Sequence, residues 1–298
     1  MNSSVVDIKS FAMSFGSKEV VKDLSFNVNP GEVFGLLGAN GAGKTTTIRA
    51  LLSLLEPTSG TLLINGKRYN PAMAATLGYL PEQRGLYRNE EVLDTMVYLA
   101  VMHGLNRDEA QKRSLAYLER VGIGDKARER LSSLSNGQQQ KVQLGVTLLH
   151  EPSLMILDEP TEALDPVNRS LLMSIINEQR EKGATVMLVT HRMEEVEQLC
   201  DRIILLKDGI RALYGTVDEV KNQFGATVIA LAFSGQLPIN DKLYTITKQL
   251  PHYAEISWQK NVAVDEIFKF LANSGGLYIT TFDVRRPTLN EIFLSLYK

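Results

Sequence analysis

Val33-Phe-Gly-Leu-Leu-Gly38-Ala-Asn-Gly-Ala-Gly43-Lys44-Thr45-Thr46 runs from an apolar segment through a glycine-rich turn into a helical pattern. A short apolar run closed by glycine reads as a buried strand. The helix that follows is expected from Lys44 towards Leu55, stopped by Pro57. Between them the turn satisfies G-x-x-x-x-G-K-[ST], and a tight glycine turn alone would not need a strand before it and a helix after it. Gly38, Gly41 and Gly43 let the backbone curl until successive N–H groups converge on an anion, and the new helix adds its positive end. With Ala39, Asn40, Ala42 and Thr46 they form the candidate cradle, in which Lys44 reaches the β- and γ-phosphates and the Thr45 hydroxyl can bind magnesium. The chemistry implied is binding of a nucleoside triphosphate.

A second apolar run, Leu154-Met-Ile-Leu-Asp158-Glu159-Pro160, delivers two acids at the end of a strand. Open α/β sheets place ligands at the carboxyl ends of their strands. Asp158 suits magnesium, directly or through water, and Glu159 suits a general base that polarises water. A strand capped by two solvated acids would be the plainer reading without the cradle.

Strand-like runs at Val33–Leu37, Leu154–Leu157 and Thr185–Thr190, each followed by a helical pattern, predict an α/β core with a mostly parallel sheet. From about residue 88 to 150 the pattern is almost wholly helical and reads as an inserted helical subdomain. After Gly225 come short alternating runs, a helix at Val264–Asn273, a strand at Leu277–Val284 and a last helix from Thr288. Residues 1–224 are therefore expected to form one domain and residues 225–298 a small α+β domain, whose apolar stripe of Leu289, Ile292, Phe293 and Leu296 could dock on its own sheet or on a partner.

Composition removes several classes. The 298 residues carry a formal net charge of −2 at a pI near 6.2, which gives no basic footprint for nucleic acid. The single cysteine, Cys200, reads as a small buried apolar side chain in a reducing compartment. The N-terminus lacks the continuous apolar core of a secretory signal, and no run nears the roughly 20 apolar residues of a membrane span.

Leu134-Ser135-Asn136-Gly137-Gln138 resembles the signature of the ABC ATPases, with Asn136 in place of the usual glycine. A hydroxyl beside the N–H groups of a helix start is an anion site by itself, and Asn tolerates unusual backbone angles. The other family elements follow in order. Ala163-Leu164-Asp165 resembles the D-loop, His191 the switch histidine, and Phe15 the aromatic that stacks on adenine, with a plain core phenylalanine as the alternative. The position usually filled by the Q-loop glutamine is Glu82, with Gln83 its neighbour; either offers an oxygen to magnesium, and Glu82 is favoured as the sensor.

The resemblance spans residues 5–220 and implies a P-loop nucleotide hydrolase core that binds ATP and Mg2+. It implies a homodimer or paired ATPase subunit, because each signature grips the γ-phosphate held by the opposite protomer. It also implies integral-membrane permease subunits from separate chains, and a peripheral place on the cytoplasmic face of the cell membrane. Tyr79-Leu-Pro-Glu-Gln-Arg-Gly-Leu-Tyr87 and Arg286-Pro-Thr-Leu-Asn-Glu-Ile-Phe293 look like bacterial ABC-2-type exporter ATPases, including the sodium-extrusion subgroup. Soluble ABC proteins of ribosomes or DNA usually pair two ATPase units in one chain or carry a long coiled coil, and neither is present. A non-hydrolysing regulatory module is disfavoured because Lys44, Asp158, Glu159 and His191 are all in place.

Overall fold

A computed structural model describes residues 4–83, 85–224, 228–258 and 262–297; Arg84 of the Tyr79–Tyr87 phrase, and Gly225 and Thr227 at the expected domain boundary, lie outside them. The described residues form two compact units divided between Val217 and Asp218, ahead of the position read from the change of texture.

The first unit holds two sheets among its described residues. The larger is six-stranded, in spatial order Leu77–Leu80, Leu154–Asp158, Thr185–Thr190, Val33–Gly38, Arg202–Lys207 and Ile210–Thr216. Every pairing is parallel except the last, a hairpin. Val33–Gly38, Leu154–Asp158 and Thr185–Thr190 are buried along their whole length, as strands covered on both faces must be. The smaller sheet is antiparallel, in order Lys18–Val28, Val6–Phe15 and Ser59–Ile64. Both sheets share one apolar core, in which Phe26 stacks on Phe34 with ring centroids 5.2 Å apart and planes 7° apart. The helix begun at Lys44 ends at Leu51, short of the expected Leu55, because Ser53 turns into a left-handed conformation (φ 55°) and Leu54 N–H reaches back to Arg49 O.

The helical insertion consists of helices Val92–Met102, Arg107–Arg120 and Asn136–Leu148. Asn106 caps the second through Glu109 N–H, and Ser135 and Gln138 form a reciprocal capping box on the third. Tyr117 is buried between the last two helices and donates its hydroxyl to Lys141 O at 2.8 Å. A Cβ on Gly145 would lie 2.5 Å from the Tyr117 ring, so only glycine lets the helices meet there.

The insertion is fastened to the core sheet by two stacked imidazoles, His103 and His150, with centroids 4.1 Å apart. His103 Nδ1 lies 2.8 Å from Ala74 O and His150 Nε2 lies 3.2 Å from Leu77 O, so each ring contacts the chain entering the edge strand.

In the second unit a four-stranded antiparallel sheet runs in order Thr245–Leu250, Tyr253–Ser257, Val228–Gly235 and Leu277–Arg285. Helix Val264–Ala272 packs Ile267 and Leu271 into a core with Ile229, Leu231, Phe233 and Ile256. Helix Leu289–Leu296 is capped by Thr288 and Glu291, and Glu291 is held down at about 2 by the Arg285 guanidinium that bonds it. Within the apolar stripe Leu289 and Ile292 are buried.

Burial, reinforced by the His103 ring, pushes the His150 imidazole down to about 4 from its ordinary 6.5. The neutral ring is what folds, so its contribution is complete above pH 6.5 and is lost as pH falls towards 4. Urea unfolding at pH 7 and pH 4.5 should therefore show wild-type stability falling by roughly 2–3 kcal/mol more than that of His150→Gln. Equal losses would show that the ring is not carried neutral through that range.

Candidate functional site

Gly38 and Gly43 show why the cradle can form only from this sequence. Gly38 sits at φ 151°, where a Cβ would meet Leu206 O at 2.5 Å; Gly43 sits at φ 104°, where a Cβ would meet the Val21 side chain at 2.9 Å. Gly43 precedes the first helical residue, Lys44, so the helix opens at the turn. The Lys44 ammonium donates to Gly38 O at 2.8 Å and Ala39 O at 3.2 Å.

An open cleft of about 670 Å³ brings Asn40, Gly41, Gly43, Lys44, Thr45 and Thr46 together with Glu82, Asp158 and Glu159. Its electrostatics are dominated by the acids. Burial, then the Glu82 and Glu159 carboxylates, push Asp158 up to about 7, against the Thr45 hydroxyl and Lys44, which favour its ionised form. Burial also draws the Lys44 ammonium below its usual range, opposed by Glu159, Asp158 and Glu82. Thr45 Oγ1 donates to Asp158 Oδ2 at 3.3 Å, so a hydroxyl and a carboxylate, both hard oxygen donors, stand side by side.

Glu159 is held on all sides. Its backbone is left-handed (φ 50°), a conformation that a glutamate adopts only where its surroundings impose it. Its N–H donates to Val189 O at 2.8 Å, and Gln140 of the signature helix donates to Glu159 O at 3.3 Å and Pro160 O at 2.9 Å. At the carboxylate, His191 N–H donates to Oε1 at 3.1 Å, His191 Nδ1 lies 2.7 Å from the same oxygen, and the Thr190 hydroxyl donates to Oε2 at 3.3 Å. The Nδ1–H tautomer of His191 is the one that donates there.

Other expected residues lie apart from this cleft. Gln83 lines a neighbouring cavity with Asn136, Gln139 and Arg88. Ser135, Asn136, Gly137 and Gln138 line a third with Lys141 and Asp165. Phe15 ends its strand half-exposed, so it does not serve the core. Lys18, Glu19, Lys22 and Asp208 line the main cleft although nothing in their local sequence marks them. They arrive there because Lys22 N–H bonds Gly209 O and Gly209 has no Cβ to strike Val20 O.

The family described as ABC transporter matches residues 21–162, and that described as ATP-binding protein DrrA1-3-like, C-terminal domain, matches residues 215–297. The uncharacterized ABC transporter ATP-binding protein YhaQ of Bacillus subtilis is 36% identical over 97% of each chain. This chain belongs to the ABC transporter ATP-binding proteins. The Nod factor export ATP-binding protein I of Bradyrhizobium diazoefficiens is 32% identical over 99% of this chain and 97% of its own. A solved structure described as an ATP binding subunit of an ABC transporter superposes with a TM-score of 0.70 at 32% identity, covering 74% of this chain and 94% of that one. The family binds and hydrolyses ATP, and the α/β core with a dominantly parallel sheet is its fold. No helix among the described residues is long and apolar enough to cross a membrane.

Lys44→Ala removes the buried ammonium of the cleft, the one set at the glycine turn. Binding of a labelled ATP should weaken by roughly 10- to 100-fold and turnover should fall with it, since charge-assisted bonds contribute about 1.5–3 kcal/mol. Unchanged affinity and turnover would place the triphosphate elsewhere.

Proposed function

We propose that this chain is the motor of a bacterial exporter, working as a pair of ATPase subunits that close on two ATP molecules and drive permease subunits made of separate chains. The observation that carries the pairing is the separation of the signature from the cradle. Ser135–Gln138 and Lys44 line different cavities of one chain, so a signature acts on a triphosphate only by meeting one held by another copy. Export is supported by the Nod factor export relative, which is similar along nearly all of its length.

In this reading the loop from Gly38 to Thr46 cradles the phosphates, Lys44 neutralises the β- and γ-oxygens, and Phe15, exposed beside the cleft-lining strand, stacks on adenine. The Thr45 hydroxyl and the Asp158 carboxylate fit magnesium, with Glu82 as the Q-loop ligand because it shares their cleft and Gln83 does not. Magnesium held by those residues would supply positive charge that offsets the crowd of acids. Glu159 accepts the proton of the attacking water, and His191 and Thr190 fix the direction in which its oxygens point. Asp165, which lines the signature cavity, meets the opposite protomer.

The subunit sits on the cytoplasmic face of the membrane. Helix Val92–Met102 presents Tyr98, Val101 and Met102 to solvent, and Tyr98 packs edge-on against Tyr87 with centroids 6.2 Å apart. Those exposed apolar groups, flanked by Glu90 and Asp94, suit contact with a membrane subunit. Residues 225–298 serve regulation or support the dimer.

Glu159→Gln should keep ATP affinity while slowing hydrolysis by roughly 10²-fold or more, so that an ATP-stabilised dimer accumulates. Gel filtration with magnesium and ATP reads this, and a variant that stays monomeric and hydrolyses normally excludes Glu159 as the base. A chain ending at Phe224 should fold and still bind ATP, because every phosphate-contacting residue precedes that point. Loss of ATP-dependent dimerisation with binding intact would support the dimer role of the second domain, whereas insoluble or ATP-blind protein would refute the boundary.

A further inference from the structure

Glu195 lies on the short helix Met193–Leu199 and is only 3% exposed, yet nothing in the hydrolytic scheme so far uses it. Its carboxylate is surrounded by donors. Oε1 accepts from the Thr161 hydroxyl, and Oε2 lies 3.4 Å from the Thr190 hydroxyl. Arg169 Nε and Arg192 Nε approach Oε1 at 3.8 and 3.7 Å, and both nitrogens are buried with no hydrogen-bond partner among the described residues. A carboxylate fits this setting because it only accepts; an amide would turn its NH2 towards a hydroxyl or a guanidinium.

The groups it holds are the two sides of the general base. Thr190 is fully buried, and its hydroxyl stands between the two carboxylates, 3.3 Å from Glu159 Oε2 and 3.4 Å from Glu195 Oε2. Thr161, 1% exposed, sits in the turn that begins at the left-handed Glu159 and ends at the left-handed Ala163, just before Asp165. Glu195 thus pins the middle of that strained turn and, through Thr190, the direction of the base itself.

We infer that Glu195 is a positioning residue for ATP hydrolysis, holding Glu159 and the start of the D-loop in one geometry. The inference rests on the reading of Glu159 as the base. A base displaced by a fraction of an ångström still leaves the cradle intact, so the effect falls on turnover and not on nucleotide affinity.

The full-length chain carrying Glu195→Gln, which keeps the side-chain shape, should bind labelled ATP within about twofold of wild type and lose roughly 10- to 100-fold in kcat. Thr190→Val should lower kcat as well, and the double variant should be slowed by less than the product of the two single effects, because the two share the Thr190–Glu195 contact. Glu159→Gln in the same assay separates the two readings. If that variant is inactive while Glu195→Gln turns over like wild type, the positioning role is overturned alone. If Glu159→Gln hydrolyses normally, the base assignment falls and the positioning role with it. A Glu195→Gln loss that matches an equal loss of ATP affinity or of melting temperature also overturns it, since that is the pattern of a merely structural side chain.

Discussion

Parallel pairing of buried apolar strands is the constraint on which the rest depends. In register, Leu37 stands beside Thr190, Asp158 beside Val189, and Gly38 beside Leu206. Strands that run the same way end at the same edge, so the cradle, the paired acids and the histidine arrive together although they are far apart in the chain. The apolar burial that drives this pairing has no catalytic content. It decides where the chemistry can be.

What gathers at that edge is electrostatically expensive. Glu82, Asp158 and Glu159 share one cleft with the buried Lys44, and burial, then the two neighbouring carboxylates, leave an Asp158 that resists ionisation. Such a site is a poor match for itself and a good one for a cation with a polyphosphate, whose charges complement both signs. Glu82 sharpens this, because a glutamine in its place would add an oxygen without a full charge.

The helical insertion is tied to this edge by side-chain amides, not by apolar packing alone. Gln140 donates to the carbonyls of Glu159 and Pro160, and Gln143 donates to Pro81 O at 3.0 Å, one residue before Glu82. One helix that begins at Asn136 therefore touches both the turn at Glu159 and the segment just before Glu82. The stacked His103 and His150 rings fasten the insertion at the opposite end of the edge strand's approach.

The sequence by itself determined the elements whose signal is local. Val33–Leu37 followed by the glycine turn and Lys44, the acids after Leu157, and the capping residues Ser135 and Gln138 each declare their conformation within a few residues, because backbone freedom, strand burial and capping act over that range. The strands and helices of the second domain were legible on the same grounds. Tertiary structure alone decided which side chains face one another. It carried Lys18 and Lys22 to the cleft through the contact of their strand with Gly209, placed Glu82 but not Gln83 in that cleft, and set Glu195 against Thr161 and Thr190. A glutamate on a short helix, a threonine after a proline and a lysine in a hairpin carry no local mark of a site, because what makes them one is proximity across long stretches of chain.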